Sequence, residues 1–248
     1  MHPSLRRTEH RPWALPASPW RWRQSWRNLL FAHWPVAASI VRKLVPSTVT
    51  VDEYEGTSWV GVVPFHMAGV MHRPLPDLPW ISAFPELNLR LYVRVGGMPG
   101  VWFVSLDAAN PLAVWGARRF FHLPYFHAAM SVVCDSDRVH YASVRRSTGT
   151  RVAFTGTYWP TGSARETTPG TIEHFLTERY CLYTQSPDGR LLRAHVHHWP
   201  WPLQTAAAAI EENTIAGAQG IEVDGEPALL HYSRRLDVVL WSAEPVEA

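Results

Sequence analysis

Lysine is nearly missing from this chain. Lys43 is the single lysine among 23 cationic side chains in 248 residues, so all the others are arginine. A Schiff base needs an amine lone pair, and a guanidinium, with a pKa above about 12, does not release one in a protein. Imine chemistry is therefore excluded everywhere except at position 43. Cysteine is scarce as well. Cys134 and Cys181 are too few for a disulfide framework, and neither lies in a spacing that would hold zinc, so both read as reduced, buried thiols. No Gly-x-Ser-x-Gly occurs, which leaves a serine nucleophile unsupported. No apolar run approaches the roughly 18 residues of a membrane span, and the opening MHPSLRRTEHRPWALPASPW sets charges and prolines where a signal peptide needs a continuous apolar stretch. The expectation is a soluble cytoplasmic protein without a membrane partner. With 23 cations against 21 anions there is no field strong enough to imply nucleic acid. Nothing in the chain calls for a metal or a cofactor.

What is present is a large apolar fraction, 46%, with 13 tryptophans. That composition suits a sizeable buried core and argues against disorder. The length fits one domain. Residues 1–19, with four prolines and no periodicity, predict an irregular arm that packs only locally, and 20–248 the domain itself. Trp22, Trp26, Leu29, Leu30, His33 and Trp34 fall on one face of a helix ending near Pro35. Such a helix could lie on a membrane surface, but packing on its own domain is the stronger reading. A short helical segment follows between Pro35 and Pro46, with Lys43 on its polar side.

From Thr48 the texture changes to β-branched and aromatic runs: VTVDEYEG, TSWVGVVPFHMAGVMHR, LNLRLYVRV, GVWFVSLDA, MSVVCDSDRVHYASVRR and RVAFTGTYWP. Glu55-Gly56, Gly96-Gly97, Asp135-Ser136-Asp137 and Ser147-Thr148-Gly149 stand where hairpins would reverse. Two helices interrupt the strands. One is Asn110 to Phe121, where Asn110 can cap and Pro111 fits the first turn; the other is Thr171 to Tyr180. A hairpin turned at Pro187-Asp188-Gly189, a helix from about Leu203 to Asn213 containing AAAA, and a final strand pair or bent strand in LLHYSRRLDVVLWSA complete the reading.

The stretch from Phe84 to Met130 resembles the acetoacetate decarboxylase superfamily: a strand bearing Glu86, a glycine hairpin, a second strand, then Gly116 and a basic pair. In that family the pair is two lysines; here it is Arg118 and Arg119. More closely, WRxxWRNLLFAHWPV and the run Gly170 to Tyr180 resemble the YqjF-like family, domain of unknown function 2071. The resemblance implies a β-rich α+β fold: a closed or nearly closed antiparallel β-barrel with a few peripheral helices. It also implies a cavity in which Glu86 stands, and the loss of the family's nucleophile, so that a Schiff-base decarboxylase is excluded.

Glu86, Asn88, Arg90 and Tyr92 alternate along one strand and share a face. By themselves they could be a solvent-facing edge; with the resemblance they become a cavity wall. Arg118 and Arg119 could hold a carboxylate through paired hydrogen bonds or stabilise an oxyanion, or simply bridge to Glu86 or Asp107, with Arg118 the better match to the lysine position. Glu178 and Arg179 read first as a salt-bridge network and second, for Arg179, as another anion ligand. His195 and His197 share a strand face, but no third ligand is fixed by spacing, so no metal site is expected. Asp107 reads as a turn cap.

Three functional readings follow. The first is noncovalent binding of a small organic anion, an oxo acid or similar, with Glu86 and Arg118 central and Asn88, Arg90, Arg119 and Arg179 assisting. The second is a lyase, isomerase or hydrolase working through Glu86 and Arg118 without an imine. The third is a structural or interaction protein whose cavity is filled by its own side chains. Assembly into a homo-oligomer is left open.

Overall fold

The computed structural model describes residues 2–75, 82–146 and 149–246, so Ser147 and Thr148 of one expected turn lie outside the described residues. The elements are β1 (Trp22–Val36), α1 (Ala38–Val41), β2 (Thr50–Val51), β3 (Ser58–His72), β4 (Phe84–Val95), β5 (Met98–Ala108), α2 (Pro111–Phe121), β6 (Tyr125–Asp135), β7 (Arg138–Arg145), β8 (Ala153–Pro160), α3 (Ile172–Thr177), β9 (Cys181–Gln185), β10 (Leu191–His198), β11 (Gln204–Asn213), β12 (Leu229–Leu240) and β13 (Glu244–Pro245). Short 3-10 turns occupy Pro3–Arg6, Arg42–Leu44 and Gly217–Gln219.

The described strands join one sheet in the order β13-β10-β9-β5-β6-β7-β8-β11-β12-β1-β3-β4-β2, with β10 also pairing β12 and β5 also pairing β4. Most neighbours are antiparallel, but β5 runs parallel to β6 and to β9, which corrects the expectation of a wholly antiparallel sheet. The β4–β5 reversal is a two-residue loop in which Gly96 and Gly97 both have positive φ, 56° and 80°. That geometry matches the twist of the flanking strands and disfavours any residue with a Cβ.

The helix expected over Trp22 to Trp34 is instead the long strand β1, antiparallel to β12 on one side and β3 on the other. The reason is visible in its register. Trp22, Gln24 and Trp26 share one face with period two; Asn28 then takes a left-handed conformation, φ 48°, and the pairing with β3 slips between Arg27 and Ala32. After the slip Leu29 falls on the face that held Trp22 and Trp26. A strand with one extra residue has thereby produced the spacing i, i+4, i+7 of an amphipathic helix.

The helix expected from Leu203 to Asn213 is likewise overturned. Gln204–Asn213 is β11, with Ala206 to Ala209 paired to Pro160 through Thr157 of β8. Alanine's helix preference amounts to only tenths of a kcal/mol per residue and yields to tertiary pairing. The last segment is one long strand, β12, paired along most of β1 and touching β11 and β10 at its two ends.

Two large apolar cores and a small one around Trp59, Tyr92 and Leu176 result among the described residues. Leu87, Leu89, Leu91 and Val93 of β4 lie fully buried with Leu30, Val60 and Val62. Phe31, Val63, Phe65, Leu106, Trp201 and Val238 belong to the second core. Strand β4 therefore has both faces covered, and its Glu86, Asn88 and Arg90 are buried polar residues rather than a wet outer face. The N-terminal arm also departs from expectation, because it packs far from its own sequence. Ser4 O accepts from Trp199 Nε1 at 2.8 Å, Arg11 Nη1 donates to Val196 O at 2.7 Å, and Trp241 Nε1 donates to Ser18 O at 2.6 Å.

Candidate functional site

Between the even-numbered face of β4 and helix α2 lies a cavity of about 260 Å³. Glu86, Asn88 and Arg90 supply its charged and amide groups, together with Gln24 of β1 and Tyr125 of β6. The remaining wall is apolar, with Trp22, Trp26, Phe65, Phe84, Phe103, Phe121 and Trp201 contributing seven aromatic side chains. A wider cleft of about 370 Å³ lies between the N-terminal arm and β12. Its carboxylates are already paired, Glu166 with Arg7 and Asp237 with Arg235, and its Arg165 is exposed, so it offers no buried group comparable with Glu86.

Glu86 is 2% exposed. Tyr125 Oη donates to its Oε2 at 3.0 Å, and Tyr141 Oη donates to its backbone carbonyl at 2.7 Å. Burial pushes the carboxyl up to about 8, against the opposing pull of hydrogen bonds from Tyr125 and Asn88. At neutral pH the group is mostly protonated, so it presents a neutral acid that can donate as well as accept.

Arg90 has a different surrounding. Its Nε donates to Tyr92 Oη at 3.0 Å, its Nη2 to Leu176 O at 2.6 Å, and its guanidinium sits 4.8 Å over the ring of Phe31. Tyr92 Oη is 2.6 Å from Nε2 of His33, a fully buried imidazole that burial holds well below its usual pKa. The other buried arginines are Arg11, Arg145 and Arg179. Arg145 pairs with Asp107 at 2.6 Å and Arg179 with Asp52 at 2.6 Å. Arg90 and Arg11 have no acidic partner among the described residues; Arg11 donates to Val196 O, and Arg90 is the one of the four that lines the cavity.

The basic pair of α2 is elsewhere, which corrects the expectation for Arg118 and Arg119. Along a helix each residue turns about 100°, and the wall is made by Leu112, Ala113, Gly116, Ala117 and Phe121. Arg118 points away, donating from Nε to Tyr125 O at 2.7 Å, and Arg119 is exposed over Phe120. Neither bridges to Glu86 or Asp107. Arg179 is not on the wall either: α3 ends at Thr177, and the Arg179 guanidinium serves Asp52 and, at 2.6 Å, Phe175 O. Glu178 accepts from Trp201 N at 2.8 Å and from the Tyr180 hydroxyl.

Asp107 is no turn cap. It is buried inside β5, and burial pushes its carboxyl up to about 6 against the pull of Arg145. Lys43 is exposed in the turn Arg42–Leu44 and is not part of the cavity wall. Among the described residues no three His, Cys, Asp or Glu side chains come together as a metal site. His195 faces Trp13 and Glu244, and His197 faces Ser4 O and Arg11. Sequence reasoning missed Tyr125 and Arg145, the partners of Glu86 and Asp107. Each lies 38 or 39 positions from its acid, and no local pattern links them.

The fold that holds this cavity is that of the acetoacetate decarboxylases. The enzyme from Legionella pneumophila subsp. pneumophila str. Philadelphia 1 is similar with a TM-score of 0.63 at 13% identity, covering 96% of this chain and 92% of that one. The enduracididine biosynthesis enzyme MppR complexed with pyruvate gives 0.63 at 11% identity, covering 93% and 91%. An acetoacetate decarboxylase-like enzyme from Sphingomonas wittichii RW1 gives 0.60 at 13%, covering 93% and 95%. At such identities the likeness speaks to fold alone. The family itself is given by sequence: the model of domain of unknown function 2071, an uncharacterized conserved protein, matches residues 23–237, and the chain belongs to that family. The uncharacterized protein YqjF of Bacillus subtilis (strain 168) is 44% identical over 228 residues, 92% of this chain and 93% of that protein. Among the described residues no helix is long and apolar enough to cross a membrane.

Proposed function

We propose that this protein binds a small organic anion noncovalently, with Arg90 as the anchor and Glu86 as a neutral hydrogen-bonding acid beside it. The observation that carries this reading is the isolation of Arg90. A buried cation without a counter-charge is costly, and Arg145 and Arg179 each meet that cost with an aspartate; Arg90 and Arg11 do not, and of these two it is Arg90 that faces the cavity. A ligand carboxylate supplies the missing charge through a short, charge-assisted hydrogen bond. Nη1 of Arg90 is the nitrogen left for it, since Nε and Nη2 are already donating. Asn88 orients Glu86, and Arg118, Arg119 and Arg179 hold the frame. The pairings β4–β5 and β10–β12 support a sheet wrapped into a closed or nearly closed barrel around this hollow. That MppR is complexed with pyruvate supports an oxo acid or similar ligand in a fold of this kind. Imine formation has no role here, because Lys43 lies outside the cavity wall. We place the protein in the cytoplasm.

A second reading, turnover without an imine, is favoured by Glu86 itself. A carboxyl pushed up to about 8 beside a tyrosine hydroxyl is tuned for proton transfer near neutral pH. Calorimetric titration of acetate, propionate and pyruvate into the wild type and Arg90→Gln tests the first reading: binding abolished by the substitution is expected, and an equal affinity in both proteins would refute it. Loss of substrate signal by NMR over hours, absent in Glu86→Gln, would move the protein to the second.

A further inference from the structure

We infer that the acid this cavity accepts carries a ring or a comparably bulky apolar body, its carboxylate on Arg90 and its body among Trp22, Trp26, Phe65, Phe84 and Phe103. The inference rests on the anion-binding reading above and adds the class of ligand. Its ground is the segregation of the wall. Three of the polar groups, Glu86, Asn88 and Arg90, stand at alternate positions of one strand, while the rest of the wall and the roof are aromatic and aliphatic apart from Gln24, which accepts from Trp26 Nε1 at 3.0 Å, and the Tyr125 hydroxyl, which Glu86 engages. A two- to four-carbon acid seated on Arg90 leaves that second half facing water or empty space. An apolar body fills it, and each methylene moved out of water contributes about a fourfold gain in affinity.

Size points the same way. A water molecule occupies roughly 30 Å³ of liquid, so the cavity of about 260 Å³ holds a ligand of the order of nine non-hydrogen atoms. Pyruvate has six of these; 3-phenylpropanoate has eleven. The roof is built to leave that space open: Ala113, Gly116 and Ala117 are the small residues that α2 turns toward the cavity, and a Cβ placed on Gly116 meets nothing within 4 Å.

Gly116 also supplies the decisive variant. It lies inside α2, so replacing it with leucine raises helix propensity and, with open space beside it, leaves the fold intact while the side chain enters the cavity. Isothermal titration of 3-phenylpropanoate, propionate and acetate into the wild type, Gly116→Leu and Arg90→Gln distinguishes the claims. The expected result is 3-phenylpropanoate binding at least tenfold tighter than propionate to the wild type, with that advantage lost in Gly116→Leu. Equal binding of all three acids to the wild type, or an advantage that survives Gly116→Leu, would overturn the ring-bearing class and leave the anion-binding reading standing. Should no acid bind the wild type at all, both readings fall together.

Discussion

Tyr125 reaches across 39 positions of sequence to donate its hydroxyl to Glu86 at 3.0 Å, and this bond joins the start of β6 to the cavity face of β4. It is the main protein contact of a carboxyl that burial keeps protonated at neutral pH. Because Tyr125 O is also the acceptor of Arg118 Nε, one residue ties the acid, strand β6 and helix α2 together.

The raised pKa of Glu86 fixes the sign of a pH effect on stability. Between the ordinary carboxylate range and about 8 the folded protein holds a proton that the unfolded chain has released. The contribution is complete at low pH and is lost as pH rises through about 8, with a slope of up to ~1.4 kcal/mol per pH unit. Glu86→Gln, which keeps the shape of the protonated acid, removes this dependence. Urea unfolding of both proteins from pH 5 to 9 is expected to show the variant gaining on the wild type as pH rises; parallel profiles would mean that Glu86 ionises normally.

The pair Arg145 and Asp107 presents a separate case. Both are buried, Arg145 Nη2 also donates to Ser105 Oγ at 2.6 Å, and its guanidinium lies 4.1 Å over the Phe126 ring. Asp107→Ala strands the cation and is expected to destabilise by about 3–5 kcal/mol. Replacing both partners with apolar residues, Asp107→Leu with Arg145→Met, should cost less than the single change. A double-mutant cycle by urea unfolding measures the difference, and a double variant no more stable than Asp107→Ala would show that the aspartate matters for more than charge compensation.

The limits of reading this chain from sequence fall at identifiable places. The alternation of Glu86, Asn88 and Arg90 and the Gly96-Gly97 loop are local signals, and β4 and β5 lie where they indicate. The strand β1 was not legible because one left-handed residue, Asn28, shifts the period by one and makes Trp22, Trp26 and Leu29 look helical. The position of Arg118 was hidden for a different reason. The family's basic pair is a property of sequence order, whereas the side of α2 that meets the cavity is set by packing, which turns Gly116 and Ala117 inward and the arginines out. The isolation of Arg90 becomes visible only once Asp52 and Asp107, both remote in sequence, are seen to be taken by Arg179 and Arg145.

Arg118 and Arg90 should accordingly separate in experiment. Arg118→Ala removes one hydrogen bond to Tyr125 O at a partly exposed position, a loss of about 0.5–1.5 kcal/mol of stability. Carboxylate affinity should change less than twofold. Arg90→Gln should abolish that affinity. Titration of propionate into both variants, with folding checked by near-ultraviolet circular dichroism, decides the matter; the opposite ranking would return the anchor to the helix.

The N-terminal arm supplies the acid-side counterpart of Glu86. His197 and His198 lie where the arm docks on β10: Ser4 O is 2.8 Å from His197 Nε2, and His10 Nε2 is 2.8 Å from His198 O. Burial, aided by the nearby Arg11, holds His197 at about 4 and His198 at about 3, and His195 beside Trp13 is held at about 4 by burial and Arg193. These imidazoles stay neutral in the folded protein while the unfolded chain takes up protons from about pH 6.5 downward, so the stability they contribute is complete above that value and lost as pH falls toward 4. Because His197 and His195 regain an ordinary imidazole pKa once the arm leaves them, and can then take up protons that the docked arm with its Arg11 denies them, falling pH favours the detached arm, which should leave before the sheet unfolds. Limited proteolysis at pH 7 and pH 5 is expected to release residues N-terminal to Trp20 faster at the lower pH, with a smaller acceleration in His197→Gln. Cleavage that begins within the sheet at pH 5, with the arm still protected, would show that these histidines do not govern its docking.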